Sequence, residues 1–212
     1  MYLFFFISIV GIISLMPIYF LSVEHIKLQK KFGKEKGIKI AMIFGLISGW
    51  GFFLFLFGIW ISPQPRFMIP IFQDNWSLVS IFNFSISFFH LIISLPIISI
   101  GAWFGIIGVK KTTLKVAETH RPEKVIKSGI YTKIRHPQYF GTILSHVGIS
   151  ILLSSFYSLL SSPFIILLIY FISWKEEKEL VKEFGKEYED YKKNVPMLIP
   201  RLRKKKLKNE YL

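Results

Sequence analysis

Residues that could do chemistry are concentrated in two blocks of the C-terminal half of the chain. In the first block, Arg135 and His136 come directly before Pro137, and Tyr139 follows three residues after His136. Proline suits the first turn of a helix, so Arg135 and His136 are expected at a helix N-terminus. Unpaired N–H groups and a positive dipole at that end suit a carboxylate. Taken alone, the pattern also fits side chains that anchor a helix at a membrane boundary.

A second block of ionisable residues follows an apolar run that ends at Trp174. It begins with Glu176 and Glu177 and continues through a run of lysines and glutamates. If the apolar run is the second arm of a helical hairpin, the two carboxylates emerge beside Arg135 and His136. An imidazole, a guanidinium and two carboxylates then meet at one membrane boundary. The alternative is an exposed amphipathic helix with i, i+4 pairs between lysine and glutamate.

Composition indicates that these blocks belong to a membrane protein. Of the 212 residues, 52% are apolar and 17% are aromatic, and the 19% that are charged are absent from long stretches. Apolar blocks of roughly bilayer length alternate with short charged blocks, which excludes a soluble domain, a disordered chain and a disulfide scaffold. Because cysteine is absent, a thiol nucleophile and a cysteine-ligated zinc site are also excluded. We predict no metal site.

The apolar blocks predict an all-α, polytopic transmembrane helix bundle. The predicted spans are about Tyr2–Val23, Ile38–Ile61, Ser77–Val109, Gln138–Leu153 and Tyr157–Trp174. The last two are short and separated by serines and a proline, which favours a helical hairpin, with a re-entrant pair as the alternative. Residues 1–110 contain the first three spans. Residues 111–212 contain a cytoplasmic loop, the hairpin and a cytoplasmic C-terminal helical segment, which together form the core that carries the chemistry.

Charge predicts the orientation of the bundle. Of the 27 basic residues, all except Arg66 lie in residues 24–39, 110–135 and 175–212, and the net charge is +14. The positive-inside rule makes that face cytoplasmic and the N-terminus external. Basic residues spread over membrane-flanking segments favour contact with membrane lipids and argue against a nucleic acid. We therefore expect a multi-pass membrane protein whose active site faces the cytoplasm.

The third predicted span carries polar residues at spacings of three and four. Ser80, Asn83, Ser87, His90 and Ser94 would share one face of a helix. A polar face in hydrocarbon is costly unless it meets partners or water. It therefore either makes hydrogen bonds between helices or lines a cavity for a polar or amphipathic substrate. In the second case Asn83 and His90 are candidate substrate residues, and His90 is the side chain expected to touch the substrate.

Together the two blocks resemble the isoprenylcysteine carboxyl methyltransferase and phospholipid methyltransferase superfamily. Its members carry Ser-Gly-Pro-Tyr…Arg-His-Pro-x-Tyr-x-Gly, an apolar hairpin, and Glu-Glu-(Arg/Lys)-x-Leu…Phe-Gly-x-x-Tyr-x-x-Tyr…Val-Pro…Pro. The resemblance covers about residues 115–200. The matching positions are Gly129, Tyr131, Arg135, His136, Pro137, Tyr139, Gly141, Glu176, Glu177, Leu180, Phe184, Gly185, Tyr188, Tyr191, Pro196 and Pro200.

This resemblance implies an integral membrane methyltransferase that uses S-adenosylmethionine at the cytosolic face. Carried over by position, the candidate cofactor-binding residues are Tyr131, His136, Pro137, Tyr139 and Glu176, and the candidate catalytic residues are Arg135 and Glu177. Which of the two glutamates contacts the cofactor stays open. A sulfonium cation favours aromatic faces and carboxylates, and the carboxylate of the cofactor favours an arginine.

Departures from the family pattern concern the methyl acceptor. Ile130 replaces the usual proline, and Asn194 stands where carboxyl methyltransferases often have an arginine. If that arginine holds an acidic acceptor, its absence argues against a prenylcysteine carboxylate unless Lys193 or Arg201 substitutes for it. The acceptor is therefore left as a lipophilic small molecule, a lipid or a lipid-modified substrate.

Two other functions stay open from the residues. Steroid-reductase-like enzymes also place a histidine motif near a C-terminal membrane hairpin and use a nicotinamide cofactor, although their extended C-terminal pattern is not evident in this sequence. A non-catalytic membrane protein is the third possibility. Binding of S-adenosylhomocysteine or of a nicotinamide cofactor distinguishes the three. The sequence predicts no oligomeric state.

Overall fold

The described part of the chain is helical apart from one short β-hairpin, which confirms the predicted class in its main feature. The computed structural model describes residues 2–68, 77–81, 84–112 and 124–200. The elements are α1 (Leu3–Val23), α2 (His25–Phe32), α3 (Lys34–Ile61), β1 (Ser77–Ile81), β2 (Phe84–Ser87), α4 (Phe88–Thr112), a 3₁₀ turn (Gly129–Thr132), α5 (Pro137–Leu152), α6 (Phe156–Leu160), α7 (Ser162–Phe184) and α8 (Lys186–Asn194).

Three helices of the described residues are long and apolar enough to cross a bilayer, namely α1, α3 and α4. Large apolar side chains on these helices face outward, and Leu3, Trp50 and Leu54 are each 66% exposed. Such an outer surface suits lipid better than water. Helix α5 has only 16 residues, and the second half of α7 is charged. The count of five spans therefore stays a prediction.

The third predicted span was wrong in its first part. Helix α4 begins at Phe88, and the preceding residues form the antiparallel pair of β1 and β2, with Ser80 opposite Ser85 and Ile81 opposite Phe84. In β2 apolar and serine residues alternate, which is the period of a strand. The spacing of the polar residues did not distinguish this from a helix. Consequently Ser80 and Ser87 do not share a helical face with His90.

The predicted hairpin is present with shifted boundaries. Helix α5 ends in a turn at Ser154, which has a φ of 53°, and the short α6 separates that turn from α7. The fifth predicted span, Tyr157–Trp174, is therefore two helices, and α7 continues beyond Trp174 to Phe184. Lys175 pairs with Glu179 one turn later, which stabilises the charged extension as a helix. Gly185, with a φ of 56°, then lets the chain turn into α8.

Antiparallel packing gives the bundle two distinct ends. Helix α1 runs against α3, and α4 runs against α5, where a Cβ on Gly141 would lie 2.5 Å from the Gly101 carbonyl oxygen. We call the end containing Glu24, Thr112, Arg135 and Lys175 the charged end. Its segments meet there, since the Lys175 Nζ lies 2.6 Å from Glu24 and the Gln138 side chain donates to Thr112. The basic segments were predicted to share one face, and their described parts do lie at one end. Which side of the membrane this end faces stays a prediction.

The opposite end is rich in serine and mostly neutral, and we call it the serine end. It comprises the end of α3, the start of α4 and the turn between α5 and α6, including His90, Ser154 and Ser158. Between the two ends, Ile12, Leu56, Ile59, Ile165 and Ile169 form an apolar core that joins α1, α3 and α7. The bundle therefore holds the charged end and the serine end apart.

Candidate active site

The segment before α5 is held in place by the C-terminal segment that returns over it. The Arg135 amide donates to the Pro196 carbonyl at 2.9 Å, and the His136 amide donates to the Met197 carbonyl at 3.1 Å. Pro137 occupies the first turn of α5, where its missing N–H costs nothing. Gly129, with a φ of 64°, begins the 3₁₀ turn that leads into this segment. Arg135 and His136 thus leave the backbone at a fixed helix entrance.

Arg135 and Glu177 form a two-point ion pair in the interior. The Arg135 Nε lies 2.6 Å from Glu177 Oε1, and Nη2 lies 3.0 Å from Oε2. The Arg135 Nη1 also donates to the carbonyls of Lys192, at 2.9 Å, and of Val195. Burial alone would raise the pKa of the Glu177 carboxyl, but hydrogen bonds from His136 and Arg135 lower that pKa to about 2. The pair ties α7 and the end of α8 to the entrance of α5.

His136 lies between the two neighbouring carboxylates. Its Nε2 is 3.2 Å from Glu177 Oε1, and its Nδ1 is 3.4 Å from Glu176 Oε2. The imidazole stacks on the Tyr139 ring with 5.4 Å between centroids and 14° between planes. The predicted proximity of Arg135 and His136 to Glu176 and Glu177 is therefore confirmed.

Glu176 is held by two tyrosines from different helices. The Tyr139 hydroxyl donates to Glu176 Oε1 at 2.5 Å, and the Tyr19 hydroxyl of α1 donates to the same oxygen. The two phenol oxygens are 2.6 Å apart. Sequence reasoning missed Tyr19, because a tyrosine near the end of a span is an ordinary membrane-boundary residue. No local pattern marks it as part of a site.

Three further tyrosines, one in the 3₁₀ turn and two in α8, close the site. The Tyr191 hydroxyl donates to the Tyr131 carbonyl at 2.7 Å, and Tyr188 packs against Tyr191. Burial raises the pKa of Tyr131 to about 12, and it raises the pKa values of Tyr188 and Tyr191 well above the usual phenol value. These phenols therefore stay neutral and act as hydrogen-bonding and apolar walls.

A cavity of about 430 Å³ opens at this cluster. Its polar part is lined by Arg135, His136, Tyr139 and Glu176, whereas the neighbouring Glu177 is only 3% exposed and does not line it. Adjacent residues of a helix point about 100° apart, which explains why one glutamate faces the cavity and the other faces Arg135. The polar part offers a carboxylate, a guanidinium and aromatic faces, which suit a ligand that carries both a cation and a carboxylate.

The cavity continues as an apolar arm between α1, α3 and α4. Gly49, Trp50 and Phe53 of α3 line this arm together with Gly105 and Val109 of α4. A second groove of about 640 Å³ lies between α3, α4 and α5, and it shares Phe53, Gly105 and Val109 with the cavity. A Cβ added to Gly105 would meet no atom within 4 Å. The junction of cavity and groove is therefore open, and the side chains of Phe53 and Ile106 beside it are exposed.

The three predicted substrate residues are not brought to this cavity by the described structure. His90 is 2% exposed, its Nδ1 lies 2.5 Å from the Ser154 hydroxyl, and its ring contacts Phe67 at the serine end. Asn83 and Arg201 lie outside the described residues. The alternative interpretation, that the polar row makes hydrogen bonds between elements, fits the position of His90. Lys193, named as a substitute for arginine, pairs with Asp190 on the exposed side of α8.

Comparison with known proteins supports the resemblance found in the sequence. The family model of phospholipid methyltransferase matches residues 88–187. A protein-S-isoprenylcysteine O-methyltransferase of Schizosaccharomyces pombe is 37% identical over 96 residues, which cover 44% of this chain and 40% of that protein. A homologue of the same name from Dictyostelium discoideum is 35% identical over 101 residues, with 44% and 40% coverage.

A second group of relatives is named for a different acceptor. A methanethiol S-methyltransferase of Pseudomonas deceptionensis is 29% identical over 151 residues, which cover 65% of this chain and 46% of that protein. The chain thus spans less than half the length of these three relatives. Tyr19 lies outside residues 88–187, whereas Arg135, His136, Tyr139 and Glu176 lie inside them.

Proposed function

We propose that this chain is an integral membrane methyltransferase that uses S-adenosylmethionine, because residues 88–187 match the family model of phospholipid methyltransferase and a protein-S-isoprenylcysteine O-methyltransferase is among its relatives. The acceptor is lipophilic or membrane-associated. The observation that carries the proposal is one continuous cavity, with Arg135, His136 and Glu176 at its polar part and an apolar arm that reaches the lipid-facing groove.

The residues of the cavity fit this cofactor. Glu176 offers a carboxylate held by two phenols, and Tyr139 offers an aromatic face beside it, both of which favour a sulfonium cation. Arg135 lines the same cavity and lies at the helix entrance, where a carboxylate is favoured. His136, Pro137 and Tyr131 complete the polar wall. S-adenosylmethionine supplies a methyl group that is activated by the sulfonium, and the donor becomes a neutral thioether when this group is transferred.

The chain's own contribution is alignment and exclusion of water. The Arg135–Glu177 pair holds α5, α7 and the C-terminal segment in register, so it acts on the site by positioning other groups. The buried Tyr188 and Tyr191 close the wall without carrying charge. Alignment of two reactants in a site free of water is sufficient for a large part of the acceleration of an in-line transfer. For a protonated acceptor, Glu176 is a carboxylate on the cavity wall, beside the polar groups of the site, that can take the proton.

The groove supports a lateral route for the acceptor. The space between α3 and α4 forms the groove, which meets the cavity at Gly105. An acceptor dissolved in the bilayer could bring its reactive end to the polar part while its apolar part stays near lipid. A thiol, an amine or a carboxylate on an apolar body all satisfy this geometry. The exposed position of Lys193 adds no support for an acidic acceptor.

The test is ligand binding followed by methyl tracing. The full chain in detergent or nanodiscs should bind S-adenosylhomocysteine by calorimetry and should not bind a nicotinamide cofactor. With radiolabelled S-adenosylmethionine, the label should move into the lipid fraction, into lipid-modified protein or into an added apolar thiol. Binding of the nicotinamide cofactor alone would favour the reductase-like alternative. Binding of neither ligand would overturn the proposal.

A further inference from the structure

Three oxygens from three helices meet at Glu176. The Tyr19 hydroxyl of α1 and the Tyr139 hydroxyl of α5 both contact Glu176 Oε1 of α7, and the phenol oxygens lie 2.6 Å from each other. The other carboxylate oxygen, Oε2, faces the His136 Nδ1 at 3.4 Å. One carboxylate on the cavity wall is therefore surrounded by hydrogen-bond donors that come from distant parts of the chain.

The Tyr19 hydroxyl is fixed by its surroundings. The residue is 6% exposed, and its ring packs with Val23 and Ile172. About one turn further along, Glu24 pairs with Lys175 at 2.6 Å, which ties the end of α1 to the residue directly before Glu176. A hydroxyl anchored in this way cannot follow the carboxylate if the carboxylate moves. It instead selects one orientation of Glu176.

Donated hydrogen bonds also favour the charged form of a carboxylate. An unpaired anion in a mostly apolar cavity is unfavourable, and hydrogen bonds to the charged form offset that cost. Glu176 lines the cavity and accepts hydrogen bonds from Tyr19 and Tyr139, whereas Glu177 is only 3% exposed, does not line the cavity and pairs with Arg135 at 2.6 Å. Of the two glutamates, Glu176 is therefore the one that a ligand in the cavity can reach.

We propose that Tyr19 is a positioning residue of the methyl-donor site, which holds Glu176 charged and aimed into the cavity so that a cationic donor is preferred over its neutral product. This inference rests on the proposed function. It assigns a role to α1, which lies outside residues 88–187 and contributes Tyr19 through a contact across 157 positions of the chain.

The test compares two ligands that differ by one charge. S-adenosylmethionine carries the sulfonium, and S-adenosylhomocysteine is its neutral thioether. Removing a hydrogen bond to a charged group should cost about fivefold or more in affinity, so Tyr19→Phe should weaken S-adenosylmethionine binding by about that factor. Binding of S-adenosylhomocysteine should change less than about twofold, because the lost interaction is electrostatic. Calorimetry on the full chain in nanodiscs measures both affinities.

Matched variants isolate the hydroxyl and the carboxylate. Tyr139→Phe should shift the ratio of the two affinities in the same direction, because it removes the other phenol from the same oxygen. Tyr170→Phe, on the outer face of α7 and 44% exposed, should not shift it. Glu176→Gln should also lower the ratio of the S-adenosylmethionine affinity to the S-adenosylhomocysteine affinity. Adding Tyr19→Phe to Glu176→Gln should not lower this ratio further.

Each remaining outcome decides against a role for Tyr19 in the donor site. If Tyr19→Phe weakens both ligands equally, or lowers only the melting temperature, Tyr19 is a packing residue. A Tyr19→Phe protein that does not fold would lead to the same conclusion, because the hydroxyl would then be needed for folding. If the unmodified chain binds neither ligand, the proposed function fails. If the unmodified chain binds both and Tyr19→Phe leaves the ratio unchanged, only the inference about Tyr19 fails.

Discussion

The charged end and the serine end are both polar and buried, but they differ in what surrounds the polar groups. At the charged end, Arg135 and Glu177 form an ion pair, and a cavity lined by Glu176 opens beside them. At the serine end, Gln64 accepts from the Ser158 amide, and Ser150 shares a hydrogen bond with Ser158. Neither Gln64, Ser150 nor Ser158 lines the cavity or the groove.

The buried polar groups of the serine end therefore hold the fold together, whereas some of those at the charged end are available to a ligand. Trp60 donates to His146 Nδ1 at 3.0 Å, and Arg66 donates to the Leu153 carbonyl at 2.7 Å, so the serine end joins α3 to the turn after α5. Within the lipid, hydrogen bonds between elements contribute to association of helices. At the charged end, by contrast, part of the hydrogen bonding is directed at Glu176, which still faces open space. Variants at the two ends should therefore fail in different ways.

The largest effect is expected for the interior ion pair. Glu177→Gln leaves Arg135 without a charged partner in the interior, and breaking such a pair should cost about 3 kcal/mol or more of unfolding free energy. Donor affinity per folded molecule should change much less. Denaturant titration in detergent measures the first quantity and calorimetry the second. A variant of normal stability that no longer binds donor would show that Glu177 contacts the ligand directly.

The same pair predicts a pH dependence. The pKa of Glu177 is lowered from 4.5 to about 2 in the folded chain. A lowered folded-state pKa contributes stability above the unfolded-state value, and that contribution is lost as the pH falls through the folded-state value. The stability difference between the unmodified chain and Glu177→Gln should therefore be constant above about pH 5 and shrink towards about pH 2. A difference that does not depend on pH would contradict the charged state of Glu177.

The next effect concerns the junction between the cavity and the groove. Gly105→Leu places a side chain where a Cβ meets no atom within 4 Å, so folding and donor binding should be retained. Turnover of an acceptor with a long apolar chain should fall by about tenfold, because one bulky side chain can remove several contacts along the route. Turnover of a small thiol should fall less. Ile100→Phe, on the lipid face of α4 and outside both spaces, is the control and should alter neither turnover.

A neighbouring glycine sharpens this prediction. Gly141 also lines the groove, but a Cβ at this position would lie 2.5 Å from the Gly101 carbonyl oxygen. Gly141→Ala should therefore lower the free energy of unfolding and should not discriminate between acceptors. The contrast between Gly105→Leu and Gly141→Ala separates a glycine that keeps a route open from one that lets two helices approach. If both variants changed only the free energy of unfolding, the proposal of a lateral route for the acceptor would be contradicted.

At the serine end we expect a stability effect without a functional one. His90→Leu removes the partner of the buried Ser154 hydroxyl and should cost about 1–2 kcal/mol of unfolding free energy. Donor affinity and acceptor turnover per folded molecule should be unchanged, because His90 lies at the far end of α4 from Gly108 and Thr112. The sequence analysis named His90 as a candidate substrate contact, with hydrogen bonding between helices as the alternative. A change in acceptor turnover at normal stability would restore that interpretation.

Much of the charged end could be predicted because its pattern is local. Pro137 indicates a helix start, Trp174 marks the end of an apolar run, and a hairpin between them brings Glu176 back to Arg135. The proximity needs only the lengths of two helices. The distinction between Glu176 and Glu177 needs the rotation of α7 about its axis, which depends on packing against α1 and α5. Tyr19 depends on the same packing and has no sequence signal of its own.

The hairpin before α4 shows the limit of periodicity. Ser80, Ser87 and His90 fit a helical spacing, but Ser85 and Ser87 also alternate with apolar neighbours. Both periods are present in the same residues, and pairing with a second strand decides between them. The prediction that these polar residues share one helical face was therefore wrong in its secondary structure.

The smallest effect is expected on the exposed face of α8. Lys193 lies next to Asn194, where carboxyl methyltransferases often have an arginine, but its Nζ pairs with Asp190 at 2.8 Å and its side chain is 71% exposed. Exposed pairs three residues apart contribute little to stability, so Lys193→Ala should leave the melting temperature and the turnover of every acceptor unchanged. Its neighbour Lys192 reaches the buried Glu177 at 3.3 Å, and Lys192→Ala is therefore the matched variant that should lower stability measurably. Turnover assays with an acidic and a neutral acceptor of equal chain length check the first variant. A loss of turnover with the acidic acceptor alone would mean that Lys193 turns from Asp190 to the acceptor and takes the role of the missing arginine. The part of the charged end that contacts ligands would then include the exposed face of α8.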